Sequence, residues 1–532
     1  MTGHETPGHC APSAGPPRTS ISRRRAVGLA LAGAAAAALE VGRPSGSGPA
    51  AASSATTADT ADVLDFGAVG DGATDDAQAF QAAMDSLGVA GGGVLIIPAG
   101  TYLINNIVQL RDNVTIIGHG AILTKTAGPY SLFVSLSGKE QGYGSGVRNV
   151  AVSGLTFLGP PYDERYLFCP FALHHAQDVT VEECAFIQTQ GIGHNMDLCG
   201  CKGITVRNCV FRGAYNSLGT PGYNKAETIQ LDQSRPGSLT YDDHPDSYDA
   251  LYTRDVVVEN CRFEPLEFHG DAYPCPNPIG AHAVRENHFY ENVTFTGNII
   301  IDPVEDPSND DLDEEPRKES FKGVLHFPAV RNLTIEGNQF TLSMPRSVRV
   351  VSIFSVDYGP LDLDPRDPAV QDYFDPIASE AITIRNNTFS GFMPSADNVA
   401  QEAIWIRGVP DGEVRDVEIS GNTMTDLRAE DGRGAVTISA LHCTQLTVSD
   451  NEIVDTVSAV RLSATRIFHI TGNRFLGDLD DPECVAITVT DGSSAGTISA
   501  NEYQGFSTGV DDRGAGRAVR VIERGRRPRQ ET

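Results

Sequence analysis

Acidic and histidine side chains cluster near the middle of the chain, on short segments in which polar and apolar residues alternate. The candidate catalytic residues on these segments are Asp197, Glu227, Asp232 and His282. Neighbouring carboxylates repel each other's charge, which raises the pKa of one of them and keeps it protonated near neutral pH. A protonated carboxyl group can act as a general acid and an ionised one as a base. These residue types therefore predict acid–base chemistry.

Equivalent segments carry side chains that could bind a substrate beside those carboxylates. They are His194, Asn195, His326, Trp405 and Arg407. Asp197 and His326 each lie seven residues before the next apolar segment, which begins at Ile204 or Leu333, and this shared register predicts that both lie on one face. Histidine can orient a carboxylate or bind hydroxyl groups, and Trp405 could stack on a ring or pack in the core. Each residue alone could be an ordinary strand residue, but their clustering favours a site.

The elements that hold these residues are indicated by an eight-residue repeat, approximately Val-Thr-Ile-x-x-Asn-x-Phe. Its sixth positions are Leu155, Cys184, Cys209, Cys261, Asn298, Asn338, Asn387, Asn422, Asn451, Asn473 and Asn501. Most steps between them are 22 to 40 residues. A fixed unit at this period is typical of a solenoid, in which each repeat buries its apolar face against its neighbours.

The repeat alternates apolar and polar residues, which is the period of a strand with one buried face. A β-sandwich would need hairpin turns every ~8 to 12 residues, and the sequence lacks them, so the pattern predicts an all-β parallel β-helix. Asn tolerates the left-handed backbone conformation of a tight bend, and its amide can bond the equivalent Asn of the next coil. We expect the seven asparagines to share one column, continued by Cys184, Cys209 and Cys261 as buried thiols.

A turn, a helix and a strand pair precede the first coil, in the stretch that begins DFGAVGDGATDD at Asp65 and continues to VLIIPAGTYLI. Thr74 or Asp75 could cap the helix, whose apolar face includes Ala79, Phe80 and Met84. An uncovered terminal coil is an exposed sheet edge. We therefore predict that this N-terminal helix caps the solenoid.

Three regions are expected along the chain. Residues 1–58 contain consecutive arginines before an Ala-rich apolar stretch, which predicts a twin-arginine-type signal peptide with a linker, and hence a secreted protein. Residues 59–510 hold the β-helix catalytic domain. Residues 511–532 are rich in arginine without apolar periodicity, which predicts a disordered tail.

Composition limits the partners. The formal net charge of −29 argues against nucleic acid, whose phosphates need a basic face, and the part after the leader has no run long enough to span a membrane. Cys199-Gly200-Cys201 has no second ligand pair at zinc spacing, so no metal site is predicted. Acidic stretches at 302–319 and 242–246 could bind calcium but lack a recognised ligand spacing, and we interpret them first as solvated insertions. No cofactor is expected, with calcium left possible.

From about Asp62 to Tyr503, the N-terminal block followed by Asn-bearing coils resembles the pectin-lyase-like superfamily, and it is closest in motif to family 28 glycoside hydrolases. The resemblance implies a right-handed parallel β-helix with an extended carbohydrate-binding groove. Asn195-Met196-Asp197 resembles that family's Asn-Thr-Asp motif and Gly280-Ala281-His282 its Gly-His-Gly motif, with Glu227 and Asp232 in place of its Asp pair. Its Arg-x-Lys motif is absent, which favours a neutral or differently charged glycan over homogalacturonan.

The favoured function is glycoside hydrolysis of a polysaccharide or oligosaccharide, with Asp232 as the acid and Asp197 and Glu227 as base or partner. His282 and His326 would orient the carboxylates or bind hydroxyl groups. If the insertion over 233–253 carries Asp232 away, Glu227 would take over its role. A polysaccharide lyase is the alternative, and a non-catalytic glycan-binding solenoid is a third possibility that the clustered acids disfavour.

Overall fold

The computed structural model describes most of the chain from residue 59 onward. The described residues are 59–159, 168–190, 194–215, 227–268, 271–273, 275–281, 288–303, 323–346, 349–355, 376–392, 402–427, 436–477, 484–516 and 518–522. His282 and the proposed leader over 1–58 lie outside them.

Three long parallel sheets run the length of the described chain. Sheet 1 comprises Thr60–Asp62, Gly93–Ile96, Val114–Ile117, Val147–Ser153, Ala176–Glu182, Lys202–Arg207, Arg254–Glu259, Tyr290–Thr296, Val330–Glu336, Glu380–Arg385, Val414–Ser420, Cys443–Ser449, Arg466–Thr471, Thr497–Ser499 and Arg520–Ile522. Sheet 2 comprises Asp71–Asp75, Gly100–Leu103, Ala121–Thr124, Thr156–Leu158, Ala185–Gln190, Val210–Tyr215, Arg262–Glu264, Ile299–Ile301, Gln339–Arg346, Thr388–Phe392, Thr423–Thr425, Glu452–Thr456, Arg474–Gly477 and Glu502–Gln504. Sheet 3 comprises Val108–Gln109, Ser131–Ser135, Cys169–His174, Met196–Cys199, Glu227–Asp232, Asn277–Ala281, Leu325–Pro328, Val351–Phe354, Glu402–Arg407, Val436–Leu441, Val460–Ser463, Val485–Val489 and Thr508–Asp511.

Except at the ends of the solenoid, each described coil contributes one strand to each of the three sheets, and the next coil stacks on it in parallel register. An antiparallel hairpin, Leu266–Phe268 with Asp271–Tyr273, stands outside the three sheets. The remaining described elements are the α-helix Ala77–Ala90 and the 3₁₀ helices Val63–Phe66 and Pro245–Ser247. The predicted parallel β-helix is confirmed.

Inward-facing apolar side chains form one continuous core between the sheets. The Phe two positions beyond the sixth residue of the repeat stacks coil upon coil. Ring centroids are 4.9 Å apart for Phe157 and Phe186, 4.6 Å for Phe186 and Phe211, and 4.7 Å for Phe211 and Phe263. These spacings match the ~4.8 Å between paired strands. The in-register pairing of successive coils therefore places equivalent phenylalanine rings in stacking contact.

The predicted column of asparagines is present and fully bonded. In each step, as from Asn387 to Asn422, the side-chain oxygen of the later Asn accepts both the backbone N–H (3.0 Å) and the side-chain N–H (3.0 Å) of the earlier one. The later side chain also donates to the Ile384 carbonyl at 2.9 Å. The same pattern runs from Asn298 to Asn501, so buried amides satisfy the backbone at every bend.

The left-handed residue of this bend is the one before the ladder position, and not the ladder Asn that we expected. Gly297, Gly421 and Asp450, for example, have φ of 64°, 61° and 54°. Gly and short polar residues tolerate that conformation at little cost, which frees the Asn to use its side chain for bonding between coils. Cys184, Cys209 and Cys261 continue the column as buried free thiols, as predicted.

The N-terminal helix packs its predicted apolar face on the core, with Phe80 and Met84 fully buried. The Asp75 carboxylate accepts the Ala77 N–H at 3.1 Å, as a capping side chain does. At the other end, Gly91 takes the left-handed conformation with φ of 88°, which terminates the helix.

The solenoid continues beyond the predicted boundary at residue 510. Thr508–Asp511 pairs in sheet 3 and Arg520–Ile522 pairs with Thr497–Ser499 in sheet 1. These strands belong to the fold, because arginines on an outer strand face need no apolar periodicity, and residues 523–532 lie outside the described part of the chain. Within the described residues, no helix is long and apolar enough to cross a membrane.

We predict that an internal ladder residue matters more than the terminal one. Asn387→Ala removes bonds to the coils on both sides and should lower the free energy of unfolding by about 3 kcal/mol, because buried backbone groups lose their partners. Asn501→Ala, at the last rung, loses bonds to one side and should cost less. Chemical denaturation of both variants measures the difference, and equal losses would contradict a two-sided ladder.

Candidate functional site

The outward face of sheet 3 carries one column of polar residues on consecutive strands. The residues in mutual register are Asp197, Gln230, Gly280, His326, Ser352 and Trp405. Successive strands are ~4.8 Å apart. The prediction that Asp197 and His326 share a face is confirmed, and they are separated by the strands of Gln230 and Gly280.

Glu227 and His326 bond across the strand that lies between them. The carboxylate Oε1 of Glu227 and Nε2 of His326 are in direct hydrogen-bond contact, and both side chains are 3% exposed or less. They meet above Gly280, where an added Cβ would lie 2.7 Å from Glu227 Cγ and 2.8 Å from His326 Cε1. The absence of a side chain at Gly280 therefore makes room for the pair.

The pair holds one shared proton. His326 Nδ1 lies 3.0 Å from the carbonyl oxygen of Gly323, which can only accept, so Nδ1 carries a proton. A contact between Nε2 and a carboxylate oxygen then requires a further proton on one of the two atoms. The pair is either an imidazolium with a carboxylate or a neutral imidazole with a carboxylic acid, and either form can give or take a proton.

His194 lies on the other side of Glu227. Its Nδ1 donates to the Glu227 carbonyl at 2.7 Å and stands 3.9 Å from the carboxylate Oε2. Glu227 is thus flanked by two imidazoles, one from the preceding coil and one from a later coil. This arrangement fixes the carboxylate between two imidazole rings.

Asp197 is a buried carboxyl group that favours its protonated form. Burial, followed by the negative charge of Asp232, raises its pKa well above the ordinary value, while the hydrogen bond from Thr240 opposes the shift. The Thr240 N–H donates to Oδ2 at 2.8 Å. The other oxygen, Oδ1, is buried without a hydrogen-bond partner.

Asp232 has contacts suited to an ionised carboxylate. Oδ1 accepts the Gln233 N–H at 2.7 Å and lies 4.0 Å from the Arg235 guanidinium, and the Gln230 amide reaches Oδ2 at 3.4 Å. Asp197 thus lies on the strand next to the one that carries Glu227 and Asp232. The three residues are 2–3% exposed, so they lie beneath a covered surface and not along an open groove.

Part of that cover is the insertion over 233–253, here called the strap. Its Leu239, Tyr241 and Tyr248 pack on Ala172 and Cys199 of sheet 3. The sequence suggested that this insertion could carry Asp232 away and that its acidic stretch is solvated. Instead it folds back onto the sheet, with Asp232 at its root, because it has apolar side chains of its own to bury.

Two stacked histidines form hydrogen bonds with aspartates of the strap. The rings of His174 and His175 are 4.0 Å apart. His174 Nδ1 lies 2.7 Å from Asp243 Oδ2, and His175 Nε2 lies 2.9 Å from Asp249 Oδ1. Burial lowers the pKa of His174 despite the nearby Asp243. These two His–Asp contacts, here called the latch, hold the strap on sheet 3, where its Thr240 N–H donates to Asp197.

This latch was missed from sequence, although a His-His pair at a strand end and two aspartates in one insertion could have indicated it. Ser234 Oγ bonds His174 Nε2 at 2.8 Å, which together with Asp243 has the connectivity of a serine nucleophile triad. Ser234 and His174 are 1% and 0% exposed. A Cβ added at Gly200 would lie 3.1 Å from Ser234 Cβ, so this packed array is structural.

Trp405 does not present an open stacking face. The Arg349 guanidinium lies 4.1 Å from its ring centroid and pairs with Glu402 at 2.7 Å, while the Arg407 guanidinium is 5.5 Å from the same ring. Cation–π contact with two arginines therefore replaces the sugar stacking that the sequence suggested. In the part of the chain that the structure describes, no group of three His, Cys, Asp or Glu side chains is placed to hold a metal ion.

The latch predicts a specific acid sensitivity. Burial would raise the pKa of Asp249, but the His175 hydrogen bond and backbone N–H donors outweigh it and lower the pKa to about 2. Since the unfolded value is about 3.9, the carboxylate adds about 2 kcal/mol of stability above pH ~4, which is lost as the pH falls towards ~2. Denaturation of Asp249→Asn at several pH values should show lower stability at pH ~6 and a shallower decline.

Asp246→Asn is the matched control, because that strap carboxylate is 66% exposed. It should leave the acid profile unchanged. Identical profiles for the protein and for Asp249→Asn would contradict the latch.

Two family models match the chain. Residues 60–266 match the model described as rhamnogalacturonase A/epimerase, pectate lyase-like, and residues 377–523 match the right-handed β-helix region. The first covers the strands that carry Asp197, Glu227 and Asp232, and the second covers the late coils.

Among proteins of known function, similarity is local. Mannuronan C5-epimerase AlgE3 of Azotobacter vinelandii is 36% identical over 105 residues, which is 18% of this chain and 6% of the epimerase. Plasmin and fibronectin-binding protein A of Streptococcus pneumoniae is 26% identical over 279 residues, 44% of this chain and 37% of that protein. The chain thus matches well under two thirds of the length of these relatives.

Among solved structures, PfbA, a surface adhesin of Streptococcus pneumoniae, superposes with a TM-score of 0.59 at 18% identity, covering 83% of this chain and 92% of that one. At this identity the likeness concerns the fold alone. Together with the two family models, which match parts of the chain, and the three stacked sheets, it identifies the fold as a right-handed parallel β-helix.

Proposed function

We propose that this protein is a carbohydrate-active enzyme that cleaves a glycan by acid–base catalysis on the outer face of sheet 3. The observation that carries the proposal is the Glu227–His326 pair, which shares a proton on the face that also carries Asp197. A buried proton-sharing pair beside a second carboxyl group is costly for a purely structural surface. Such groups are typical of sites that transfer protons.

Glycoside hydrolysis needs one carboxyl group that donates a proton and one that accepts a proton. Asp197, whose pKa is raised, would donate its proton to the leaving glycosidic oxygen as the C–O bond breaks. Glu227, oriented by His326 and His194, would take a proton from the attacking water, whose oxygen forms the new bond to the sugar carbon. From the sequence, Asp232 was the expected acid and Asp197 a base or partner. The raised pKa of Asp197 favours the opposite assignment, in which the negative charge of Asp232 helps to keep Asp197 protonated.

The spacing of residues along this face suits a glycan. The polar column repeats at ~4.8 Å per strand along the solenoid axis, which suits an extended polymer of similar repeat. The match to polysaccharide-modifying epimerases supports the same substrate class. The net charge of −29 disfavours a nucleic acid as the polymer.

Elimination or C5 epimerisation of a uronate is the second candidate. The two imidazoles flanking Glu227 could supply a base for the C5 proton, and Asp197 could protonate the leaving oxygen or the opposite face of the ring. The epimerase match favours this reaction. It would also need a cation for the uronate carboxylate, and Arg235, whose guanidinium lies 4.0 Å from Asp232 Oδ1, could supply one.

The likeness to an adhesin makes glycan binding without turnover a third candidate. Export through the twin-arginine route from residues 1–58, and capping of the solenoid by the N-terminal helix, belong to the same proposal of a secreted enzyme. They rest on the sequence pattern and on the packing of Phe80 and Met84.

We predict that digestion of a polysaccharide panel releases new reducing ends without ultraviolet absorbance from an unsaturated uronate. Asp197→Asn should reduce kcat by about 10²–10⁴-fold, because it removes the proton donor while keeping volume. Glu227→Gln should do the same. The matched control is Asp416→Asn, an exposed sheet 1 residue, which should retain full activity.

Each other outcome selects a different candidate. Unsaturated products would select the lyase, and solvent deuterium entering C5 without cleavage would select the epimerase. Binding without products would select the adhesin-like module. Full activity of the folded Asp197→Asn protein would remove Asp197 from the mechanism.

We also predict that Gly280→Ala lowers kcat by about 10–100-fold while the protein stays folded. The new Cβ would lie within 3 Å of both Glu227 and His326 and would separate their hydrogen-bonded atoms. Ser439→Ala, in the same register column further along sheet 3, is the control and should be neutral. Unchanged kcat in Gly280→Ala would show that the Glu227–His326 contact is not needed for turnover.

A further inference from the structure

Three buried side-chain oxygen atoms, one of them from Asp197, lack hydrogen-bond partners. They are Asn195 Oδ1, Asp197 Oδ1 and Thr228 Oγ1. Their residues are 1%, 2% and 0% exposed. Buried polar atoms are nearly always bonded to protein or to ordered water, so three orphans in one place need an explanation.

The three side chains share one patch. Asn195 and Thr228 lie side by side on neighbouring strands, joined by the Asn195 N–H and the Thr228 carbonyl at 2.8 Å. Asp197 is two residues further along the strand of Asn195 and faces the same way, because Met196 between them points into the core. Ile229 likewise points inward beside Thr228. All three oxygen atoms therefore lie on the outer face of sheet 3, and one of them belongs to the proposed acid, Asp197.

The chemistry of these atoms defines what they could bind. The side-chain oxygen of Asn and an ionised carboxylate oxygen only accept hydrogen bonds, and a hydroxyl can accept or donate. Asn195 Oδ1 therefore needs an O–H or N–H donor from the ligand, whereas Thr228 and a protonated Asp197 can donate or accept. Sugar hydroxyl groups can do both at spacings of a few ångströms.

We propose that Asn195, Asp197 and Thr228 form a subsite that receives the hydroxyl groups of an uncharged sugar unit. This inference rests on the proposed function and deepens it, since it names the class of glycan. The unit in this subsite carries no carboxylate, and the bond to be cleaved lies between Asp197 and Glu227.

A carboxylate-bearing unit is disfavoured here by its charge. It would bring a negative charge next to the acceptor oxygen of Asn195, and among the described residues none of the three side chains contacts an arginine or lysine. Arg235 faces Asp232 instead. A uronate carboxylate in this place would be buried without a positively charged partner, which is strongly unfavourable.

A calcium ion is also disfavoured. Calcium takes six to eight oxygen ligands, usually with several carboxylates, whereas this patch offers three oxygens and one carboxyl group. The raised pKa of that group further weakens it as a ligand. Calcium is therefore kept as an outcome of the test.

The test compares two threonines in the same register column of sheet 3. Thr228 and Thr437 are both fully buried, each two residues before the polar column, at Gln230 and Ser439. Thr437 Oγ1 bonds Thr456 Oγ1 at 2.9 Å, whereas Thr228 Oγ1 is an orphan. Valine replaces threonine with almost no change of shape, so the pair isolates the hydroxyl group.

Without ligand, Thr228→Val should raise the midpoint of thermal unfolding or leave it unchanged, because it removes an unsatisfied group. Thr437→Val should lower the midpoint by about 1–2 °C. A fall for Thr228→Val as large as that for Thr437→Val would show that Thr228 is already bonded, and would overturn the subsite.

Binding is then measured by calorimetry with hexasaccharides of glucose, mannose, galactose and xylose, with hexasaccharides of galacturonate and mannuronate, and with calcium chloride alone. We expect a neutral hexasaccharide to bind, and Thr228→Val to weaken that binding about tenfold while Thr437→Val does not. Binding limited to uronates, or calcium binding that Thr228→Val abolishes, would overturn the inference.

The two proposals fail separately. Thr228-dependent binding of a neutral glycan without turnover would leave the subsite standing and refute the enzyme. Turnover with a KM that Thr228→Val does not change would refute the subsite and leave the enzyme standing.

Discussion

In-register pairing between successive coils is the constraint on which the rest of this protein depends. Each strand must lie ~4.8 Å from the equivalent strand of the next coil, so every side chain inherits its neighbours from the repeat. Inside, this spacing stacks phenylalanine rings at 4.6–4.9 Å. At one bend, it lets each Asn amide satisfy the backbone of the coil before it. Outside, it aligns Asp197 with His326 although 129 residues of sequence separate them.

Burial raises the pKa of one of the aligned carboxyl groups, which suits it to proton transfer. A carboxyl group on an open sheet would be ionised and ordinary, but Asp197 lies under the strap, where burial raises its pKa. The strap stays in place through apolar packing and through two His–Asp contacts. The same fold that stacks rigid coils thus needs an irregular insertion to create a protected site, and the latch that holds the insertion lies on the strand next to that of Asp197.

The regular part of the structure could be predicted from the sequence, since each coil repeats the same physical solution. The period, the Asn column, the apolar face of the N-terminal helix and the shared face of Asp197 and His326 all follow from spacing alone. Spacing alone does not show that the residue before the Asn takes the left-handed conformation. That position is occupied by Gly, Asp or Asn in different coils, so it has no single sequence signature.

The irregular part could not be predicted in the same way. The Glu227–His326 pair depends on a missing side chain at Gly280, on a strand between them, and a repeat pattern says nothing about such gaps. The strap looked like a solvated acidic loop because its buried partners, His174 and His175, lie about 70 residues upstream. Trp405 looked like a sugar platform because its register is right, but Arg349 covers its face.

The most direct measurement is a crystal structure of the Asp197→Asn protein with a bound oligosaccharide from the panel. The account predicts that the chain lies along the axis on sheet 3, with a glycosidic oxygen within hydrogen-bond distance of the side chain at position 197. The adjacent sugar carbon should face a water held by Glu227. A sugar chain bound on sheet 1 or sheet 2, or on sheet 3 away from Asp197 and Glu227, would contradict it.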